Sequence, residues 1–292
     1  MTPSNGTGGN RERLSSRASR RLTETVASGI TGRGPSCLCN DDLWQRAADL
    51  IEKSEKIAIL SGFYVPSVMA PETDGVAGSC ALARALIGMG HDAEIWTDSL
   101  CIGPFESCAA ELCFPRDRVV DASRFEGAER APDLFIYVER VGRAADGAYY
   151  DMRGEDISPW AAPLDSYALS GSPVIAIGDG GNEVGMGSLI EPLAKLLPEY
   201  SRCLCVVASD VCIPADVSNW GAYAVVSALS LSIGEWVGPS EEEDAGMMDA
   251  LLEAGAVDGI TKKKEKSVDG LGADAQLRIR SDLENLVRSE LQ

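Results

Sequence analysis

The stretch Val174-Ile175-Ala176-Ile177-Gly178-Asp179-Gly180-Gly181-Asn182-Glu183-Val184-Gly185-Met186-Gly187 decides how the rest of the chain is read. Pro173 opens a run of four apolar residues rich in β-branching, the pattern of a strand covered on both faces. The run then breaks into glycines at 178, 180, 181, 185 and 187, with two acids among them. Glycine permits backbone conformations and close approaches that a side chain forbids, so the expectation is a buried strand that delivers a functional loop. Ser188 stands where it would cap a helix running to about Leu197 and ended by Pro198.

Working outward, Ile57–Leu60, Ala93–Thr97, Asp133–Val138 and Cys203–Ala208 read as further strands. Helical spacing marks Asp41–Lys56, Ala77–Met89, about Ala222–Ile233, a helix beginning at Glu241, and Asp274–Leu291. Strands that alternate with helices predict a single α/β domain over residues 23–292, with a mostly parallel sheet and helices on both faces. Residues 1–22 are rich in Ser, Thr, Gly and Arg, with Glu12 the only acid. They read either as a disordered extension or as a mitochondrial transit peptide.

Against 26 basic residues stand 45 acidic ones, a net charge of -19, which repels nucleic acid and anionic membrane. The longest apolar stretch, Ala222 to Ile233, is interrupted by serines and falls short of the ~20 residues of a spanning helix. Nine cysteines without an apolar leader fit a reduced intracellular compartment, mitochondrial matrix or cytoplasm, better than a disulfide framework. Cys203 and Cys205 read as small core residues sharing one face. The single histidine, His91, excludes a His-based triad or a His-rich zinc site unless it carries the site itself.

The residues just after the apolar runs form a pattern of their own: Asp98, Glu139, Asp179 and Asp210, with Glu72 and Asp74 in the loop after the first run. In an open parallel sheet, ligands bind outside the carboxyl ends of the strands, so these acids are expected to converge on one crevice, although any one of them alone would equally serve as a cap. Like charges brought together need a metal ion or a substrate ammonium among them, and oxygen-only ligands favour magnesium or manganese over zinc. Arg140 and Arg153 near the same edge offer a donor fork to a substrate carboxylate, or alternatively a salt bridge to a neighbouring acid. The N–H groups of Gly180 and Gly181 would face a developing negative oxygen. A dinucleotide fingerprint fails because Glu183 stands at the third glycine, and a phosphate loop fails for want of a lysine, so no nucleotide cofactor is expected.

Five segments then make a resemblance: Glu72-Thr73-Asp74-Gly75, Tyr149-x-x-Met152-Arg153-Gly154-x-Asp156-Ile157, Gly178 to Gly187, Val217-Ser218-Asn219-Trp220-Gly221-Ala222-Tyr223, and Val268-Asp269-Gly270. In this order they resemble the D-glutamate cyclase family, from about Gly32 to Leu286. The resemblance implies a hydro-lyase that closes an amino-acid substrate, D-glutamate, to 5-oxo-D-proline with loss of water, with a divalent metal, magnesium or manganese, as the expected cofactor. Asp179 or Glu183 would serve as base and then acid. Some of Glu72, Asp74, Asp179 and Glu183 would hold the metal. Arg153 or Arg140 would bind the α-carboxylate, with Glu139, Gly180, Gly181, Asn182, Ser218 and Asn219 around the substrate. Animal members of the family look mitochondrial and carry a further domain. The chain departs from the family pattern at Asp151, where Asn is expected, and at Asp216, where Gly is expected; both add negative charge near the proposed site. Still open are a metal-dependent enzyme for another small carboxylate or phosphate ester, a non-catalytic small-molecule sensor, and assembly as a homo-oligomer.

Overall fold

Strand β1 (Lys56–Ser61) shows how the sheet is built: Ile57 and Ile59 face one side and Ala58 and Leu60 the other, all buried, because successive strand side chains point to opposite faces. The computed structural model describes residues 13–125 and 132–292. Within them β2 (Asp92–Thr97), β3 (Val119–Asp121), β4 (Leu134–Val138), β5 (Val174–Gly178) and β6 (Val211–Pro214) join β1 in a six-stranded sheet of order β3-β2-β1-β4-β5-β6. Every neighbouring pair in it is parallel. The chain walks outward from β1 to β3, then returns to the other side of β1. The order therefore reverses between β1 and β4, where a crevice opens at the carboxyl ends of an open sheet.

Helical segments cover the two faces unequally. The face of Ile57 and Ile59 carries α1 (Ser16–Val26), α2 (Asp42–Glu52), α3 (Val76–Gly88), α4 (Ile102–Glu111), α6 (Ser218–Ile233), α7 (Glu241–Glu253) and α8 (Ala273–Glu290), which share one apolar core. The face of Leu60, Trp96 and Tyr137 is covered by the 3-10 helix Leu164–Leu169 and by the segment holding Cys205 and Val207. A short α5 (Ile190–Leu196) packs with Met186 and Leu204 in a separate cluster. Among the described residues no helix is long and apolar enough to cross a membrane.

The differences from the sequence reading have local causes. Cys203–Ala208 is no sheet strand: Cys205 N–H bonds Gly181 O at 3.0 Å, Val206 N–H bonds Arg143 O at 3.0 Å, and Val207 O accepts from Gly185 N–H at 2.9 Å, so its backbone is spent on the loops. Val211–Pro214 takes the edge position beside β5 instead. Cys203 and Cys205 are buried and free, as small core residues. Ser188 caps no helix, because its Oγ is shared with the backbone of Ser209. Helix α6 begins at Ser218, four residues before the expected Ala222, and so brings Ser218 and Asn219 into a helical first turn. Within the segment expected to lack structure, α1 forms from Ser16, capped by Ser15 Oγ and anchored by Leu22 and Val26 in the core. Residues 1–12 lie outside the described residues.

Candidate active site

Each strand end contributes its acid by a distinct device. After β1 the chain folds back to Glu72, held by Glu72 N–H to Phe63 O at 3.0 Å, Thr73 N–H to Val257 O at 2.9 Å and Thr73 Oγ1 to Ser267 O at 2.9 Å. The Asp74 carboxylate accepts N–H bonds from Gly75, Ser218 and Asn219, each at 2.8 Å. It thereby closes the N-terminus of α6, where the helix dipole favours negative charge. Gly75 has φ +81°, and a Cβ there would lie 2.7 Å from Glu139 Cβ, so only glycine lets the two acids approach.

Directly after β4, Glu139 adopts φ +45°, a left-handed conformation rare for a residue with a side chain. Its Oε2 accepts a 2.6 Å bond from Ser218 Oγ. The hairpin of Ser267–Val268 and Leu271–Gly272 turns through Asp269 and Gly270, both at positive φ as a two-residue turn requires. That turn delivers Asp269. From the segment between α1 and α2, Arg33 bridges the two sides, with Nη1 2.7 Å from Asp179 Oδ1 and Nη2 2.7 Å from Asp269 Oδ1.

Six carboxylates, those of Glu72, Asp74, Glu139, Asp179, Glu183 and Asp269, thus gather about the Arg33 guanidinium, which pairs with two of them. Burial, with the neighbouring acids adding, pushes the carboxyls of Glu72 and Glu139 well above the usual range. Asp179 is also raised well above it, by burial first, with Arg33 opposing and Asp269 and Glu139 adding. Burial and Asp269 push Asp74 up to about 7 against the pull of its three N–H bonds. Protons or cations therefore belong in this crevice at neutral pH.

Three buried oxygens, Glu72 Oε1, Asp179 Oδ2 and Asp269 Oδ2, have no hydrogen-bond partner. Oxygens of Asp74, Asp179 and Asp269 lie within 4.8 Å of one another, as do those of Glu139, Asp179 and Glu183. An all-oxygen donor set with unpartnered, inward oxygens fits a hard divalent cation such as magnesium or manganese. The crevice has a volume of about 80 Å³. A larger cavity of about 140 Å³, lined by Tyr223, Asp244 and Gln276 among others, holds none of the six acids.

Several expected site residues serve the fold instead. Arg140 is buried, with Nη1 on Asp98 Oδ2 at 2.6 Å and Gly62 O at 2.9 Å and Nη2 on Ala162 O at 2.6 Å, so its fork faces no substrate and Asp98 is spent on it. Asp210 precedes β6 and accepts from Val174 N–H at 2.8 Å, at the opposite end of the sheet. The Gly180 and Gly181 N–H groups point at Glu183 Oε1 and Oε2, each at 2.7 Å, and are closed to an oxyanion. Asn182 Nδ2 bonds Tyr150 O at 2.8 Å, and Asn219 Oδ1 takes Gly78 N–H at 2.7 Å. Arg153 lines the rim, its side chain 44% exposed and 3.8 Å from Asp151. Asp216 lines no part of the crevice: it accepts from Ser28, Gly29, Ile30 and Ser36. The sequence reading missed Arg33 and gave Asp269 no role. Their signals were an arginine set between Gly32 and Gly34 and an Asp-Gly turn.

The sequence profile of the family described as D-glutamate cyclase-like, C-terminal, matches residues 22–284. The chain belongs to this family. The human protein named D-glutamate cyclase, mitochondrial, is 30% identical over 217 residues, covering 66% of this chain and 35% of that protein. The chain therefore spans about a third of the relative's length. A crystal structure of an exopolyphosphatase-related protein from Bacteroides fragilis aligns with 85% of this chain and 62% of its own at 13% identity and a TM-score of 0.32, and no argument rests on it. Of the segments that carried the D-glutamate cyclase resemblance, four supply five of the six acids and the partners Ser218 and Asn219, Tyr149–Ile157 contributes to the rim, and Glu139 lies outside all five.

Proposed function

We propose that this chain is a hydro-lyase that closes D-glutamate to 5-oxo-D-proline. The observation that carries the reading is the convergence of Glu72, Glu139, Asp179, Glu183 and Asp269 on one crevice, with an Asp74 oxygen within 4.8 Å of those of Asp179 and Asp269, in a member of the D-glutamate cyclase-like family. The acids attract the substrate ammonium. Two protons leave that ammonium, its nitrogen attacks the carbon of the γ-carboxylate, the N–C bond forms, and one C–O bond of that carboxylate breaks. The departing oxygen takes two protons and leaves as water. A group that receives and returns protons near neutrality needs a raised proton affinity and a free oxygen. Asp179, with Oδ2 unpartnered, meets both conditions, and Glu139 beside it is the second proton carrier. Glu183, with both oxygens on backbone N–H groups, shapes the loop. Arg153 at the rim would take the α-carboxylate. A divalent cation held by Asp74 and Asp269, whose oxygens lie within 4.8 Å of one another, would polarise the γ-carboxylate.

The test is incubation of the purified protein with D- and L-glutamate, with and without magnesium or manganese, and chromatographic detection of 5-oxoproline. Product from D-glutamate supports the reading. Turnover confined to another carboxylate or a phosphate ester would replace it with the alternative enzyme class, and ligand-dependent thermal stabilisation without product would mark a sensor.

A further inference from the structure

With the glycine N–H groups closed by Glu183 and Arg140 closed by Asp98, the crevice needs another source of positive charge for a carboxylate. Among the described residues lining it, the cations are Arg33, Arg153 and Lys262. Arg153 stands at the exposed rim, and Lys262 Nζ donates to Ser67 Oγ at 2.7 Å. Arg33 alone of the three reaches the acids at the base. We propose that Arg33 is the substrate-carboxylate receptor of the crevice, and that Asp216 is the positioning residue that holds it there. If the cyclisation reading holds, the carboxylate bound is the reacting γ-carboxylate, whose developing negative oxygen Arg33 stabilises.

The guanidinium carries five N–H donors, and one ion pair on each Nη leaves donors for a ligand. Its side chain is 25% exposed, so it is open to the crevice without being free in solvent. The segment that carries it is tied down from below. Asp216 Oδ2 accepts from Ser28 Oγ at 2.8 Å and Gly29 N–H at 2.9 Å, Oδ1 accepts from Ser36 Oγ at 2.7 Å, and Asp216 N–H bonds Val26 O at 2.8 Å. These bonds bracket Arg33 on both sides in sequence. Asp216 itself is 1% exposed and stands two residues before Ser218, which bonds Glu139. A donor fixed in this way needs no reorganisation when charge develops, the condition under which such groups matter most in catalysis.

The experiment is calorimetric titration of glutarate, a five-carbon dicarboxylate without the amine, into wild-type protein and the variants Arg33→Ala, Arg33→Lys, Asp216→Ala and the Arg33→Ala/Asp216→Ala double, in magnesium-containing buffer, with thermal melts checking that each is folded. Wild type should bind. Arg33→Ala should bind at least about tenfold more weakly and recover in part on addition of methylguanidinium, which a merely structural loss would not do. Arg33→Lys, which keeps the charge and the segment, should fall between. Asp216→Ala should weaken binding in the wild-type background and add little in the Arg33→Ala background, as expected of residues that act as one unit. No glutarate binding by wild type, or equal binding by folded Arg33→Ala and Arg33→Lys, would overturn the proposal. In parallel turnover assays Arg33→Ala should lower kcat by on the order of 100-fold or more, the scale of a lost oxyanion donor. Wild type that binds glutarate through Arg33 yet makes no 5-oxoproline would refute the cyclisation reading and leave the carboxylate receptor standing.

Discussion

Replacing Glu183 by glutamine tests whether that acid builds the loop or performs chemistry. The side chain is 1% exposed, with Oε1 taking the Gly180 N–H and Oε2 the Gly181 N–H, each at 2.7 Å. Glutamine matches the volume but has one acceptor oxygen, so its NH₂ faces one of the two N–H groups. A buried donor left without a partner costs about 1–3 kcal/mol, and the surviving bond loses its charge assistance, which roughly doubles such bonds. Relief of repulsion works the other way, since Glu183 is among the acids that raise Glu72 and Glu139. The lost bonds should win because both are short and shielded from water, leaving a net loss of about 1–3 kcal/mol. At this chain size that corresponds to a fall in Tm of roughly 2–5 °C. Urea unfolding followed by tryptophan fluorescence, with a parallel calorimetric melt, reads both quantities. A Glu183→Gln variant as stable as wild type, or more stable, would refute the assignment of Glu183 to loop structure.

Three further outcomes follow from the same geometry. An unfolded Asp74 releases its proton near the ordinary 3.8 and the folded one at about 7, so the folded state binds more protons between those values and loses stability as pH rises through them; Tm should fall from pH ~5 to ~8, and Asp74→Asn should flatten the profile in the same melts. Manganese or magnesium should raise the wild-type Tm by a few degrees, by binding the folded state alone, and Asp269→Asn should remove most of that rise. Gly185 has φ +92°, and a Cβ there would stand 2.0 Å from Ala176 Cβ, so Gly185→Ala should cost about 2–4 kcal/mol in urea unfolding, as strain and overpacking do together.

The parallel sheet was readable because β1, β4 and β5 are continuous apolar runs, each followed by a turn. Cys203–Ala208 misled because burial between two loops selects the same residue types as burial in a sheet; only the hydrogen bonds to Gly181 and Arg143 separate the two cases. Strand β3 is three residues long, too short for any periodicity to register. The acid crevice was foreseen for Glu72, Asp74, Glu139, Asp179 and Glu183, since each lies at or just beyond a strand end at the switch point. Asp210 failed with its strand, which begins one residue later than the acid rather than before it. Arg140 and Arg33 exchange roles for a reason no local pattern contains. The fork of Arg140 is consumed by Asp98 from the carboxyl end of β2 and by two carbonyls, whereas Arg33 arrives from a segment far away in sequence, carried on the bonds to Asp216. Asp216, expected to add charge to the site, supplies that anchor instead.

The most direct test of the cyclisation account is the rate of 5-oxoproline formation from D-glutamate by wild type and by Asp179→Asn under identical metal and pH conditions. The account predicts product from wild type and a rate lower by at least ~100-fold in the variant, the scale of a positioned proton carrier. Equal rates in the two proteins, or no product from wild type under any metal condition, would contradict it.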